Sequence, residues 1–593
     1  MTKHTYDYGL IGNCSYQAHI HKNTNIEWMC WPRFDSSFIF GAMLDDEKGG
    51  EFSIKPSGEI QDSKQYYLEN TNILCTEITC DEGSYRVTDF APRFHQYDRY
   101  FKPLMLIRKV EPLEGSPRVR VKCSPVGNYG KVTPNQYEAS NHIEYLGLEK
   151  EVRLTTNFPL SYIVQDGYIV LNETKYLALT YGAPLEAPLV NTCENFLDQT
   201  TRYWRGWVKN LSVSNFHQAE INRSALVLKI HQYEDTGAII AAGTTSLPES
   251  PGSGRNWDYR YCWMRDAYYT LAAFNNIGHF EELERYFNYI VNISVKSTER
   301  FQPLYSITGF EDLVEHTMDL KGYKGNQPVR VGNQAYTHIQ NDVYGQILAS
   351  LLPLYADRRF INSERSDSLN LVYNILKQIE QLMDEPDAGL WEFRTLSQYH
   401  CYTYLFHWAG AKAAKKIGKM FANDKITTLA DKLIRQATDK IESCFDAERG
   451  VYAQAIGSKN LDASNLQLIM MGYLDNDAEA TQKHLRAHEA DLKSKEGLFY
   501  RYKHADDFGE PETTFLICAF WHVEALACTG RVDEAIKAFE NLLGYSNHLG
   551  LLSEDVDAKT GSQWGNFPQA YSHVGLVNAA YRISRKLDRP NFL

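Results

Sequence analysis

The period of the hydrophobic pattern changes once along this chain, near Asn191, and that change divides it into two folding regimes. Before it, short runs of alternating polarity, rich in β-branched and aromatic residues, recur between turn signals. Ser15–His21 and Ile26–Trp31 flank Lys22-Asn23-Thr24-Asn25, and Ile73–Cys80 and Tyr85–Phe90 flank Asp81-Glu82-Gly83. Leu104–Val110 and Arg118–Cys123 flank a Gly-Ser-Pro loop, and Tyr162–Gln165 and Tyr168–Leu171 flank Asp166-Gly167. Strands at this spacing predict an antiparallel sandwich over 1–190.

After the change, Phe196, Tyr203, Trp204 and Trp207 recur at helical spacing, which predicts a linker helix within 191–214. From 215 to 593 one helical pattern follows another. About twelve segments carry it: 217–234, 266–276, 280–295, 337–355, 367–384, 402–420, 425–445, 462–472, 478–492, 512–529, 532–543 and 569–587. Phe515–Ala527 is apolar nearly all round, as expected of a helix enclosed by others, and Gly530 follows as a stop. An open solenoid of helix hairpins and a closed double ring of six inner and six outer helices both match such pairing. The stretch Gly530–Ala535 followed by Phe539 imitates a helical repeat, but no fixed period is sustained. The loops are long and rich in Trp, Tyr, Asp and Glu, which favours the closed ring with function on its loops.

At 593 residues, two folded units are expected. A net charge of −13 argues against nucleic acid or an anionic membrane as partner, since both need basic surface. Met1–Gly9 lacks the charged-then-apolar pattern of a secretion signal, and no apolar run reaches the roughly 18 residues of a membrane span. Eleven cysteines, an odd number in apolar settings such as that of Cys518, read as reduced thiols of a cytoplasmic protein. Neither CxxC pairs nor HExxH occur, so a zinc site has no support and no metal or other cofactor is expected.

Three loops carry chemistry-bearing residues. Gly252–Asp266 gathers aromatics, arginines and aspartates beside a helix start. Arg265 and Asp266 could grip adjacent hydroxyls of one sugar, one donating and the other accepting, or form a structural ion pair that caps the helix. In Asp384–Arg394, Glu392 lies between Trp391 and Phe393 after a Pro/Gly turn; apolar neighbours would favour its protonated form and suit a general acid. In the third, Glu554 follows the apolar Leu551-Leu552 and could face a water. For both glutamates the bland alternative is a surface loop carboxylate.

Taken together these segments resemble glycoside hydrolase family 15, which contains glucoamylases, glucodextranases and bacterial or archaeal trehalases. The resemblance covers nearly the whole chain: Tyr8–Cys14 and Trp28–Ser36, then Thr244–Glu249, Arg255–Asp266, Pro328–Asn333, Asp342–Gly345 and the Glu392 and Glu554 loops, in order. It implies an N-terminal super-β-sandwich packed on an (α/α)6 barrel. Glu392, in the family's Trp-Glu position, would protonate the glycosidic oxygen, and Glu554, in the Ser-Glu position, would activate water on the opposite face. Tyr259, Arg265 and Asp266 would line the terminal-glucose subsite, with Trp263 and Trp391 as aromatic walls. Inversion then requires about 6.5–9.5 Å between the carboxyl groups. Two positions depart from the pattern: Tyr404 stands where a lysine is usual, in a region expected near the pocket entrance, and Asp555 stands where Gln or Glu is usual.

The leading expectation is an inverting, exo-acting α-glucosidase of glucoamylase type, releasing terminal glucose from short α-glucans or isomalto-sugars. Its alternative is a trehalase, the same chemistry with glucose as leaving group. A glycoside phosphorylase would not need Glu554 as base. A helical-repeat scaffold for protein partners would show an open concave surface with no pocket closed around the two glutamates.

Overall fold

A computed structural model describes residues 3–296, 300–310, 312–359 and 365–587. Three antiparallel sheets account for most of the N-terminal region. The first joins Tyr8–Gly12, Gln17–His21, Ile26–Cys30 and Phe38–Phe40, each paired with the next. An eight-stranded sheet runs in the order Asn135–Glu138, His142–Leu146, Val152–Thr156, Lys175–Tyr181, Met105–Gly115, Gly83–Phe90, Leu74–Cys80 and Asp62–Tyr67. The third holds Ile169–Val170, Arg118–Ser124 and Glu51–Pro56. Inward residues of all three, among them Ile20, Ile54, Val87, Leu106 and Val121, form one core, as expected of sheets packed face to face.

One predicted strand is a helix instead. Of the predicted Tyr162–Gln165, Tyr162–Val164 fall in α1 (Leu160–Val164), entered from an extended Pro159, and Gln165 is its C-cap. Leu160 and Ile163 are its buried residues, three apart, and so short an alternation fits either structure.

The linker helix α2 (Leu189–Lys209) leads to α3 (Gln218–His231), α4 (Met264–Ile277), α5 (Glu281–Lys296), α6 (Asp342–Ala356), α7 (Arg365–Leu382), α8 (Cys401–Met420), α9 (Asp424–Glu442), α10 (Gln467–Met470), α11 (Glu479–Leu492), α12 (Leu516–Cys528), α13 (Val532–Leu543) and α14 (Ala570–Leu587). α4 packs on α6, α6 on α8, α10 on α12, α12 on α14 and α14 back on α4; the 3₁₀ turn Ala463–Leu466 bridges α8 to α10. The intervening helices lie outside, α9 against α8 and α13 against α12 and α14. The inner ring is therefore closed, which removes the open solenoid. Every residue of α12 is buried, as its all-apolar pattern required. Gly345 and Gly410 face each other where α6 crosses α8; a Cβ on Gly345 would lie 2.0 Å from the Phe406 carbonyl oxygen.

The N-terminal domain braces the barrel's loops. Trp28 Nε1 donates to the Gly243 carbonyl (2.7 Å) and Tyr6 Oη to that of Gly565 (2.8 Å). Arg260, fully buried, pairs with Asp258 (2.8 Å) and donates to the Ser36 carbonyl (2.7 Å). This clamp fixes the loop that delivers Tyr259 and Trp263. No described helix is long and apolar enough to cross a membrane. All eleven cysteines are buried and unpaired.

Candidate active site

A cavity opens at the N-terminal ends of the inner helices. Tyr259, Trp263, Arg265, Asp266, Trp391 and Glu392, six of the residues singled out from sequence, line it together. Trp263 stands where the chain enters α4, four residues after Tyr259, and Arg265 and Asp266 occupy the helix's first turn.

Trp263 Nε1 donates to Glu392 Oε1 at 2.7 Å, and Arg265 Nη2 stands 3.5 Å from the same oxygen. Glu392 has a left-handed backbone (φ 64°), which turns its side chain out of the loop. The aromatic neighbours from which an apolar setting was predicted are engaged elsewhere. Trp391 Nε1 donates to Asp462 (2.7 Å), and Phe393 packs beside Tyr502 (5.5 Å between centroids).

Glu554 is almost wholly buried, next to the cavity-lining Tyr259. Tyr259 Oη donates to its Oε1 (2.7 Å), and the Asn566 backbone N–H donates to Oε2 (3.1 Å). Gly565 permits that approach: its φ is +74°, and a Cβ there would lie 2.5 Å from Glu554 Oε2. The rings of Tyr259 and Trp263 meet edge to face, centroids 5.3 Å apart, so the two glutamates are held by adjacent rings. Burial, and then the nearby Glu249 carboxylate, raise the Glu554 pKa; Tyr259 and Asn566 act against them. Burial, Glu554 and Glu249 raise that of Asp555 well above the usual carboxylate range.

Arg265 and Asp266 do form an ion pair (Nε to Oδ2, 3.3 Å), yet no side chain caps α4. Arg265 Nη1 donates to the Leu390 carbonyl (2.6 Å), which ties α4 to the Glu392 loop. Arg265 Nε and Asp266 Oδ2 are buried on residues lining the cavity and have no hydrogen-bond partner beyond that 3.3 Å ion pair with each other. Burial pushes the Asp266 pKa up to about 6, against the pull of Arg265. A bound diol would satisfy both atoms.

Several lining residues were not singled out from sequence. Glu249 pairs with Arg501 and accepts from Trp257 Nε1 (2.9 Å). Arg394 stacks over Trp257 (4.8 Å) and Phe508 (5.3 Å). Asp507 accepts from the Arg394 backbone N–H (2.6 Å), and Asp506 pairs with Arg255. The loop carrying Asp506, Asp507 and Phe508 is thus clasped across the cavity rim. Glu249 and Trp257 lie inside segments already recognised as family-like, but Arg501 and Asp506–Phe508 had no local signal.

Tyr404 is not near the entrance. It is buried on α8, meets His407 edge to face (6.1 Å between centroids) and does not line the cavity. The preceding residue on α8, Thr403, holds Asp387 (2.8 Å), and Tyr404, about 100° further round the helix, lies off the cavity.

Comparison with known proteins fits this geometry. The family model "Glycosyl hydrolases family 15" matches residues 216–581, and "Trehalase-like, N-terminal" matches 6–169. A trehalase of Thermoplasma acidophilum is 33% identical over 95% of this chain and 97% of its own length. A trehalase of Mycobacterium tuberculosis is 31% identical over 98% and 89%. A bacterial glucoamylase complexed with acarbose superposes with a TM-score of 0.70 at 15% identity, covering 99% of this chain and 95% of that one, a likeness of fold. A closed helical barrel behind an antiparallel sheet domain, carboxylates gathered at its loop end and full-length relatives converge on one assignment: the chain is a glycosidase and belongs to glycoside hydrolase family 15.

Proposed function

We propose that this glycosidase is a trehalase that hydrolyses α,α-trehalose to two glucose molecules with inversion at the attacked carbon. The observation that carries this reading is the similarity to proteins named trehalase along nearly the whole chain, both domains included. The glucoamylase likeness is confined to fold, so the glucoamylase-type expectation gives way to its alternative. A short substrate also suits a cavity whose rim is narrowed by Trp257, Arg394 and Phe508.

In this reading Glu392 is the general acid and protonates the glycosidic oxygen as the C–O bond breaks. Glu554 is the base: it takes a proton from water attacking the anomeric carbon on the opposite face. Tyr259 Oη and the Asn566 N–H stabilise the ionised form of Glu554, while Asp555 retains its proton and adds no second charge. Arg501 offsets the charge of Glu249 beside them. Arg265 and Asp266 hold hydroxyls away from the reacting carbon, and binding there can favour a distorted ring. Trp263 and Trp391 supply walls for the sugar's C–H faces. Nothing in this scheme calls for a cofactor. A cytoplasmic setting is part of the proposal and agrees with eleven unpaired thiols.

Proton NMR of trehalose in the first minutes of digestion tests the scheme. Inversion releases α- and β-glucose in equal amounts, because one residue is inverted and the other leaves unchanged. Release of α-glucose alone would overturn it.

A further inference from the structure

A second cavity, of about 450 Å³, lies at the opposite end of the barrel. All six inner helices contribute to it: Asn275 and Asn276 on α4, Pro353 on α6, Lys412 and Lys416 on α8, Gln467 at the start of α10, Glu524 on α12, and Tyr581, Arg582 and Arg585 on α14. It is separate from the catalytic cavity. Tyr269 lines it, and the Tyr269 ring packs against Tyr571, which lines the other (centroids 5.2 Å apart).

Four cations face this space against one carboxylate. Glu524 stands 3.7 Å from Arg582, and burial pushes its pKa up to about 7, so it is a weak counter-charge near neutrality. Among the described residues, Lys412, Lys416 and Arg585 have no carboxylate within ion-pair distance. Arg585 donates to the Asn276 side chain (2.9 Å), and the Lys412 ammonium lies over the Trp408 ring (4.1 Å). Burial and the neighbouring Lys416 lower the Lys412 pKa, the mark of a cation lacking compensation.

Helix C-termini attract cations, and that accounts for part of this charge. It does not account for two buried groups. Gln467 is 2% exposed and Tyr581 is 8% exposed, and both line the cavity. Gln467 Nε2 and Tyr581 Oη have no hydrogen-bond partner. Buried donors of this kind are nearly always satisfied in folded proteins. Cations, unsatisfied donors and an aromatic floor in a space of small-molecule size describe a ligand site.

We propose that this cavity binds a small organic polyanion bearing phosphate or several carboxylates, whose oxygens the lysines and arginines engage and whose body rests against Trp408. The inference does not depend on which glycoside the other end cleaves.

Calorimetric titration of the full-length chain at low ionic strength decides it, with glucose 6-phosphate, inorganic phosphate and citrate as probes and glucose as neutral control. The expected result is saturable one-site binding of at least one anion, weakened by salt. Binding should fall by about tenfold or more in Lys412→Gln/Lys416→Gln and persist in Glu392→Gln. A preference for glucose 6-phosphate identifies a phosphate ester, and one for citrate a polycarboxylate. Thermal unfolding confirms that the double variant is folded; if it is not, Arg585→Gln serves in its place. Absence of saturable binding by all three anions to about 10 mM, or undiminished binding by the folded variants, overturns the proposal.

Discussion

The two ends of the barrel are built from the same six inner helices and differ in charge: carboxylates and arginines are mixed around the catalytic cavity, whereas four cations and one carboxylate line the far one. At the N-terminal ends stand Asp266 and Asp342 in first turns, with Asp387, Glu392, Asp462 and Glu554 in the adjoining loops. At the other end stand Lys412, Lys416, Arg582 and Arg585. This is the polarity that aligned peptide dipoles favour, anions at N-termini and cations at C-termini. The ends differ in what completes them. Near the catalytic cavity most charges have protein partners, and Arg265 Nε and Asp266 Oδ2 have only each other. At the far end three of the four cations have no carboxylate partner among the described residues. The helix ring sets the sign of the charge at each end; the loops, long only at one end, determine which charges are paired and positioned for chemistry.

The comparison breaks most visibly if the two glutamates are not the chemical machinery. Glu392→Gln and Glu554→Gln should each lower kcat on trehalose by about 10²–10⁴-fold, with the melting temperature little changed for Glu392→Gln. Steady-state rates checked against thermal unfolding test this. A smaller loss is expected for Asp266→Asn, which weakens a charge-assisted contact to a sugar hydroxyl: about 10- to 100-fold in kcat/KM, following roughly 1.5–3 kcal/mol for such a bond.

Smaller again are effects on the pH profile, which sharpen the account of Glu554. A base must be ionised, so activity falls as pH drops through its pKa. Because burial and Glu249 raise that pKa, the acid limb of kcat/KM should lie above the ordinary glutamate value of about 4.3. Tyr259→Phe removes a donor to the ionised form and should move the limb to higher pH. Glu249→Gln removes a neighbouring negative charge and should move it lower. Limbs shifted in the reverse sense would remove Glu554 from the role. Least of all should Lys412→Gln/Lys416→Gln alter trehalose hydrolysis in anion-free buffer, since neither residue approaches the catalytic cavity.

Much of this architecture was legible in the sequence because it rests on long periodic segments. Phe515–Ala527 could only be an enclosed helix, and Gly530 (φ 81°) ends it as read. Tyr162–Gln165 was misread as a strand because so few residues cannot separate a period of two from one of 3.6. Within the site, Arg265 and Asp266 adjoin in sequence and their pairing was foreseen. The Glu249–Arg501 pair spans 252 positions and the Tyr259–Glu554 bond 295, so no local pattern announces either. Tyr404 was misplaced for a related reason: its position was inferred from its place after the Glu392 loop, whereas the direction of a helical side chain decides what it meets.

Initial rates of glucose release from trehalose and from maltose at matched concentrations test the central claim most directly. The account predicts a kcat/KM for trehalose at least about tenfold above that for maltose, within what differential transition-state binding supplies. Equal or faster release from maltose would contradict it and restore the glucoamylase-type reading.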